Sequence, residues 1–204
     1  MDINVLNNIV KIPDCYQKVE SLPEDPQNST TCMFQSPNAL CMVQIFPIPE
    51  EAAMPYLDKQ AVIDGIHRCL ADNQGLVQIQ HGWIYSKKRF MASIVKTLKE
   101  ENSHPAGVQY TLTMHAKWDK NSHICIFGYF DEMGVTGQRE AIMYETARRD
   151  GEFDMSTWSA DPYDPDFKKG VLCNLSEDYH YDEFFPQHPL TLCRDLITHI
   201  IRNN

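Results

Sequence analysis

Two groups of side chains have the types and spacing that chemistry needs. The first is His115, His123 and Cys125. A cysteine nucleophile requires a base within hydrogen-bond reach and a further group that orients that base. Two imidazoles and a thiol are also three ligands of the kind a zinc site uses. The plainer alternative is a buried free cysteine acting as a small hydrophobe, and no nucleophile motif surrounds Cys125. The second group is Asp178, His180, Asp182, Glu183 and His188. On an extended segment, alternation would point Asp178, His180 and Asp182 one way, as metal ligands or acid–base groups. Their neighbours Tyr179, Tyr181, Phe184 and Phe185 favour a segment buried by its rings with its charges outward. Asp161-Pro162-Tyr163-Asp164-Pro165-Asp166 suggests calcium at a glance. An EF-hand loop counted from Asp164 puts Lys169 where glycine is required and Leu175 where the closing glutamate belongs, so that template fails. Gly-x-Ser-x-Gly, His-Glu-x-x-His and a dinucleotide fingerprint are absent. No cofactor and no stoichiometric zinc, calcium or iron is expected.

The first group must be positioned by the stretch Gly107–Phe130. From Val108 to Trp118, Val108, Tyr110, Leu112, Met114, Ala116 and Trp118 alternate with Gln109, Thr111, Thr113, His115 and Lys117. Period two is the mark of a half-buried strand. A second run, His123–Phe130, follows a turn at Asp119–Asn121. A three-residue loop with Asn121 left-handed pairs Trp118 with Ser122. Ala116 then meets Ile124, Met114 meets Ile126, Leu112 meets Gly128 and Tyr110 meets Phe130, all on one face. A one-residue slip would mix apolar and polar positions on both faces. The second face then carries Gln109, Thr111, Thr113, His115 and Lys117 beside His123, Cys125, Phe127 and Tyr129, too aromatic for water and too polar for plain core.

The remaining elements follow the same logic. Tyr16–Val19 reads as a short edge strand in an otherwise loop-like start. Thr30–Gln35 and Leu40–Phe46 form a hairpin, and Pro47, Pro49 and Pro55 a connecting loop. Asp58 caps a helix over Lys59–Asn73, with Val62, Ile63, Ile66, Cys69 and Leu70 as its apolar stripe. Leu76–Tyr85 and Phe90–Lys99 are strands joined by the basic turn Ser86-Lys87-Lys88-Arg89, a solvated turn or a docking spot for an acidic partner. A polar loop spans Glu100–Ala106. Thr136 can cap a helix from about Gln138 to Asp150. The preceding Gly-containing loop outlines a phosphate cradle but lacks a lysine and carries Asp131 and Glu132. Ser176 caps a short helical turn through Phe185. His188-Pro189 opens a final helix with Leu190, Cys193, Leu196, Ile197, Ile200 and Ile201 on one side.

Composition narrows the function classes. At 204 residues with 43% hydrophobic content, the chain suits one core. The expected organisation is an α+β domain over 1–150, a twisted antiparallel sheet of about six strands with helices on its faces. An acidic, aromatic extension over 151–204 packs on the same domain. A formal net charge of -10 repels phosphate backbones, so nucleic acid is a poor partner. No apolar run approaches membrane-spanning length and no signal-like start is present, which points to the cytoplasm without a membrane partner. Seven cysteines without a C-x-x-C pair argue for free thiols.

The order of hairpin, prolines, helix, four antiparallel strands and a helix resembles the PsbP-like superfamily in a bacterial-type member. Cys41–Phe46, Asp58–Asn73, Leu76–Lys99 and Val108–Phe130 carry the resemblance, roughly the middle half of the chain. It implies an α/β/α sandwich whose relatives mostly bind other proteins. No site residue is carried over by it.

The preferred expectation is a non-enzymatic cytoplasmic protein-binding module, adaptor-like or chaperone-like. A small hydrolase or metal-dependent enzyme using the cluster at 178–188 is the alternative. A self-assembling structural subunit, such as a homodimer, is the third. The extension is expected to fold back and cover the hairpin's second face. Rings left over, Trp158, Tyr163 and Tyr181, would line a partner-facing groove; the bland alternative makes every ring core.

Overall fold

The computed structural model describes residues 1–100, 102–103, 106–150, 154 and 158–204. The expected loop over Glu100–Ala106 and the start of the extension lie partly outside these. The frame is one antiparallel sheet. Its strands are β3 (Gln17–Lys18), β4 (Thr30–Gln35), β5 (Ala39–Ile48), β6 (Gln74–Trp83), β7 (Arg89–Leu98), β8 (Val108–Lys117) and β9 (His123–Glu132). They lie in the order β3-β4-β5-β9-β8-β7-β6. The fold is α+β, and the seventh strand is the two-residue edge within Tyr16–Val19.

The hairpin register is as the alternation requires. Tyr110 pairs with Phe130, Leu112 with Gly128, Met114 with Ile126 and Ala116 with Ile124. Trp118 N–H donates to the Ser122 carbonyl at 2.8 Å. The turn differs in one detail: Asn121 is not left-handed. Its N–H is instead held by the Asp119 carboxylate at 2.8 Å, which closes the loop without a positive φ.

On the first face, Leu112, Met114, Ala116 and Ile126 are fully buried. Two covers lie on it. One is the last helix, α3 here (Pro189–Asn203), which contributes Leu190, Cys193, Leu196, Ile197 and Ile200. The other is a hairpin of β1 (Asp2–Val5) and β2 (Asn8–Lys11), which contributes Ile3, Val5 and Val10. That hairpin corrects the expected loop. Its turn, Leu6-Asn7, holds Leu6 at φ 53° and contains no glycine or proline, so Asn7 is its one turn residue and the signature is weak.

The helix begun by Asp58, α1 (Lys59–Cys69), ends four residues before the expected Asn73. Leu70 leaves the helix at ψ 132° to bury its side chain, and Gln74 already belongs to β6. Gly137, rather than Thr136, directly precedes α2 (Gln138–Asp150), and its carbonyl accepts the Ala141 N–H at 3.0 Å. Asn174, rather than Ser176, caps the 3-10 turn Leu175–Glu177 in a capping box with Glu177. Two further short strands, β10 (Ser159–Ala160) and β11 (Cys173–Asn174), pair within the extension.

The extension crosses the sheet edge where β6 begins. Val171 N–H donates to the Gln74 carbonyl at 2.8 Å. A Cβ on Gly75 would lie 1.7 Å from the Val171 carbonyl oxygen, so only glycine admits that crossing. All seven cysteines are unpaired. Among the described residues no helix is long and apolar enough to cross a membrane.

Leu112→Ala, at the centre of the buried face, should cost about 2–5 kcal/mol of unfolding free energy. Denaturant titration of the variant reads this directly, and a near-neutral value would contradict the packing.

Candidate functional site

The extension does not cover the hairpin's second face, contrary to expectation. Its helix α3 is amphipathic, but the first face offers a wider unbroken apolar surface, and the helix lies there. The second face is covered only at its margins. Over β6 and β7, α1 places Val62 and Ile63 on Leu76, Ile79 and Met91, with Tyr163 and Phe167 alongside. On the opposite flank, the Asp25 carboxylate accepts from Gln44 Nε2 at 2.7 Å and draws the segment 22–25 onto β4 and β5.

A trough is left between these margins. Register neighbours define its floor: Met33, Met42, Tyr129, Thr111 and Val95 form one row across five strands. The next row holds Gln44, Phe127 and Thr113. These side chains are all half-buried. Phe127 and Tyr129 meet edge to face, with centroids 4.9 Å apart. Methionine with aromatic rings is an adaptable contact surface, since thioethers repack at little cost.

The first chemical group sits at one end of this trough. His115 and Cys125 are direct register partners, and His123 opposes Lys117 on the same face. Their environments are those of structure. Met54 N–H donates to His115 Nδ1 at 2.9 Å, which places the imidazole proton on Nε2. Burial, and then the neighbouring His123, push the His115 pKa down to about 4. Burial pushes the Cys125 thiol up to about 12, so no thiolate is available at neutral pH. His123 Nδ1 lies 2.9 Å from the Tyr56 hydroxyl. Its Nε2 is buried without a hydrogen bond, 4.0 Å from the Glu50 carboxylate. Residues 54–56 thereby close the trough.

The second group is taken apart by the fold. Tyr179–Phe184 is a 3-10 helix rather than an extended segment, so alternate residues do not share a side. His180 is exposed and bonds the Asp178 carboxylate at 2.7 Å. Glu183 points to solvent. Asp182 accepts from Arg139 and Arg194, both at 2.9 Å. His188 turns the other way. Its Nδ1 accepts the Leu190 N–H at 3.2 Å, leaving Nε2 to carry the proton, 3.4 Å from Glu132 Oε1. Among the described residues no three His, Cys, Asp or Glu side chains assemble as a metal site.

Beneath this segment lies a polar network that no motif had marked. The Lys96 ammonium meets the Glu177 carboxylate at 2.6 Å, both nearly fully buried. Tyr110 donates to the same carboxylate at 3.1 Å. Arg139, 2% exposed, donates to the Ser176 and Asp178 carbonyls and to Thr191. Burial would raise the Glu132 carboxyl, but donors from His188, Val108 and Gly137 outweigh it and hold it below its ordinary value. Burial, only partly offset by Glu132, lowers His188. A cavity of 330 Å³ adjoins these groups. Each of the six ionisable groups named here is already hydrogen-bonded within the network, so they fasten the extension to the sheet. One signal was legible: Lys96 occupies a core-phase position after Phe90, Ala92 and Ile94. Arg139, on a helix's first turn, gave none.

Of the three rings expected at a partner groove, Trp158 is buried, edge-on to Tyr144 at 5.5 Å. The Tyr163 hydroxyl accepts the Ile79 N–H, and the Lys59 ammonium lies 4.6 Å over its ring. Tyr181 is half-buried in the 3-10 helix.

No protein-family model matches the sequence, and no curated protein matches it. Among solved structures, a Pseudomonas aeruginosa protein of unknown function, titled a putative regulator, aligns at 9% identity and a TM-score of 0.39. That alignment covers 73% of this chain and 93% of the other.

Two expectations test these assignments. Glu177→Ala leaves the Lys96 ammonium buried and unpaired, and should cost about 3–5 kcal/mol by denaturant unfolding. Lys96→Met with Glu177→Leu should recover only part of it: the buried charge is gone, but the Tyr110 hydroxyl and the Asn174 N–H lose their acceptor. The second concerns pH. His115 and His188 have folded pKa values below the unfolded one, so the unfolded chain binds more protons on acidification. Stability should fall as pH drops below about 6.5, with the His115 share, about 3 kcal/mol at most, complete near pH 4. Glu132 adds a loss of the same sign at lower pH. His115→Gln should flatten the decline between these limits; an unchanged profile would remove His115 from the account.

Proposed function

We propose that this chain is a non-enzymatic cytoplasmic protein-binding module, adaptor-like or chaperone-like, of the PsbP-like superfamily. It holds a segment of another protein in the trough on the second sheet face. The observation that carries this reading is the half-exposed row Met33, Met42, Tyr129, Thr111 in the middle of an otherwise packed sheet. Contiguous apolar floor of this kind is costly to leave in water. At about 4.8 Å per strand, the floor from β5 through β9 to β8 is about 10 Å wide, close to the girth of one helix. A helical segment with an apolar stripe would complete the second layer, and a net charge of -10 favours one with basic flanks. The hydrolytic or metal-dependent alternative has less support, because its candidate groups are bound to one another or split between surfaces.

The test is a synthetic amphipathic helix with a leucine face and lysine ends, titrated by fluorescence anisotropy. Binding should shift the Met33 and Met42 methyl resonances and the Tyr129 ring resonances, because these side chains form the floor. Met42→Asp with Thr113→Asp should weaken binding about tenfold or more, about 1.4 kcal/mol, with the melting temperature nearly unchanged. Absent binding, or binding indifferent to the double variant, would refute the trough as the site.

A further inference from the structure

Strand β6 is an edge of the sheet and carries two features of opposite character. The turn that joins it to β7 is a basic, aromatic knob. Tyr85 is 85% exposed and Trp83 56% exposed, and Lys87, Lys88 and Arg89 follow them. The knob is stiff. Ile84 N–H donates to the Lys88 carbonyl at 2.7 Å, and Lys87 N–H to the Ile84 carbonyl at 2.8 Å, with Lys87 at φ 65°. Tyr85 N–H donates to the Ile201 carbonyl at 2.9 Å, which ties the turn to the end of α3. The Arg89 guanidinium lies 4.7 Å over the Trp83 ring. Little ordering is left to lose on docking. Trp, Tyr and Arg are also the side chains that most often anchor interfaces.

About 10 Å back along the same strand opens a cleft of 620 Å³, between β6, α3 and the extension. Asp178, Asp182 and Asp195 line it, and the exposed Tyr179 ring stands at its mouth. Arg194 is its one lining cation among the described residues, and its guanidinium is spent on Gln78, Asp182 and the Glu177 carbonyl. Glu177 is neutralised from behind by Lys96, and Asp182 by Arg139. Asp195 has no hydrogen-bond or ion-pair partner among the described residues. Burial, and then Asp182, push its carboxyl above the ordinary range. With Asp178 bonded to His180, Asp195 is the carboxylate that the cleft leaves without a partner, beside an aromatic ring.

We propose that the occupant of this cleft is the knob of a second copy of the chain. Each copy inserts Tyr85 and its flanking Lys87 and Arg89 into the acidic cleft of the other, β6 edge facing β6 edge. Because knob and cleft share one edge, a single two-fold rotation satisfies both contacts, as an isologous dimer requires. The cleft is of a size that takes one ring with its charged neighbours. Charge selects the occupant: the chain is acidic overall, and its one run of three consecutive cations is at this turn. The trough on the second face stays open in such a dimer.

Sedimentation velocity on the full chain tests this, at micromolar concentration in low and high salt. The expected result is a dimer that weakens as salt screens the charges. Lys87→Glu with Arg89→Glu should be monomeric, and so should Asp178→Lys with Asp195→Lys. Mixed in equal amounts, the two variants should regain the dimer, since both contacts of the mixed pair are again complementary. Tyr85→Ser, an exposed position without a charge change, should weaken association about tenfold while leaving the melting temperature in place. A wild-type monomer in low salt overturns the proposal. So does a dimer retained by either charge-reversed variant, or a mixture that stays monomeric.

Discussion

The pairing of β8 with β9 is the constraint on which the rest of the structure depends. Side chains alternate with period two, so this one register decides which residues of both strands enter the core. Strands β5 and β7 flank the pair and inherit the assignment, since Ile45 pairs with Ile126 and Ala92 with Met114. A slip of one residue would send His115 and Lys117 under α3 and put Leu112 and Met114 in the trough. The buried face therefore specifies the open one as well.

The extension is fixed by a different kind of force. Most of its apolar contribution comes from α3, with Tyr163 and Phe167 adding contacts over β6 and β7. Position is set by buried polar groups. Glu177 accepts from Lys96, from Tyr110 and from the Asn174 N–H. One carboxylate thereby caps its own turn and pairs with two strands. Buried ion pairs contribute little net stability against apolar packing, but breaking one is costly. Such a network penalises every other docking of the extension, and that is its structural value here.

Two surfaces remain after these demands are met. The trough is apolar in its floor because β9 alternates isoleucines on one face with Phe127 and Tyr129 on the other. It stays open because α1 is short and sits over β6 and β7 only. The β6 edge is polar and charged at the cleft and basic at its turn. The first surface suits burial of an apolar segment, and the second suits charge pairing at a rim. They lie on different sides of the sheet, so use of one does not preclude use of the other.

By itself the sequence determined the strands of the main sheet, the hairpin register and the amphipathic helices. Each of those follows from local periodicity and turn chemistry, which neighbouring residues carry. It also placed His115 opposite Cys125 correctly. Only the tertiary structure decided which face α3 covers, because an apolar stripe records that it is buried and not against what. The same holds for Asp178, His180 and Asp182, whose alternation meant a shared side only if the segment were extended. A 3-10 helix with three residues per turn scattered them, and Arg139, more than forty positions away from Asp182 in the chain, chose the carboxylate it needed. The N-terminal hairpin was missed because Leu6 makes its turn at a positive φ, a conformation stabilised by packing of Ile3 and Val5 beneath it rather than by the residue's own preference.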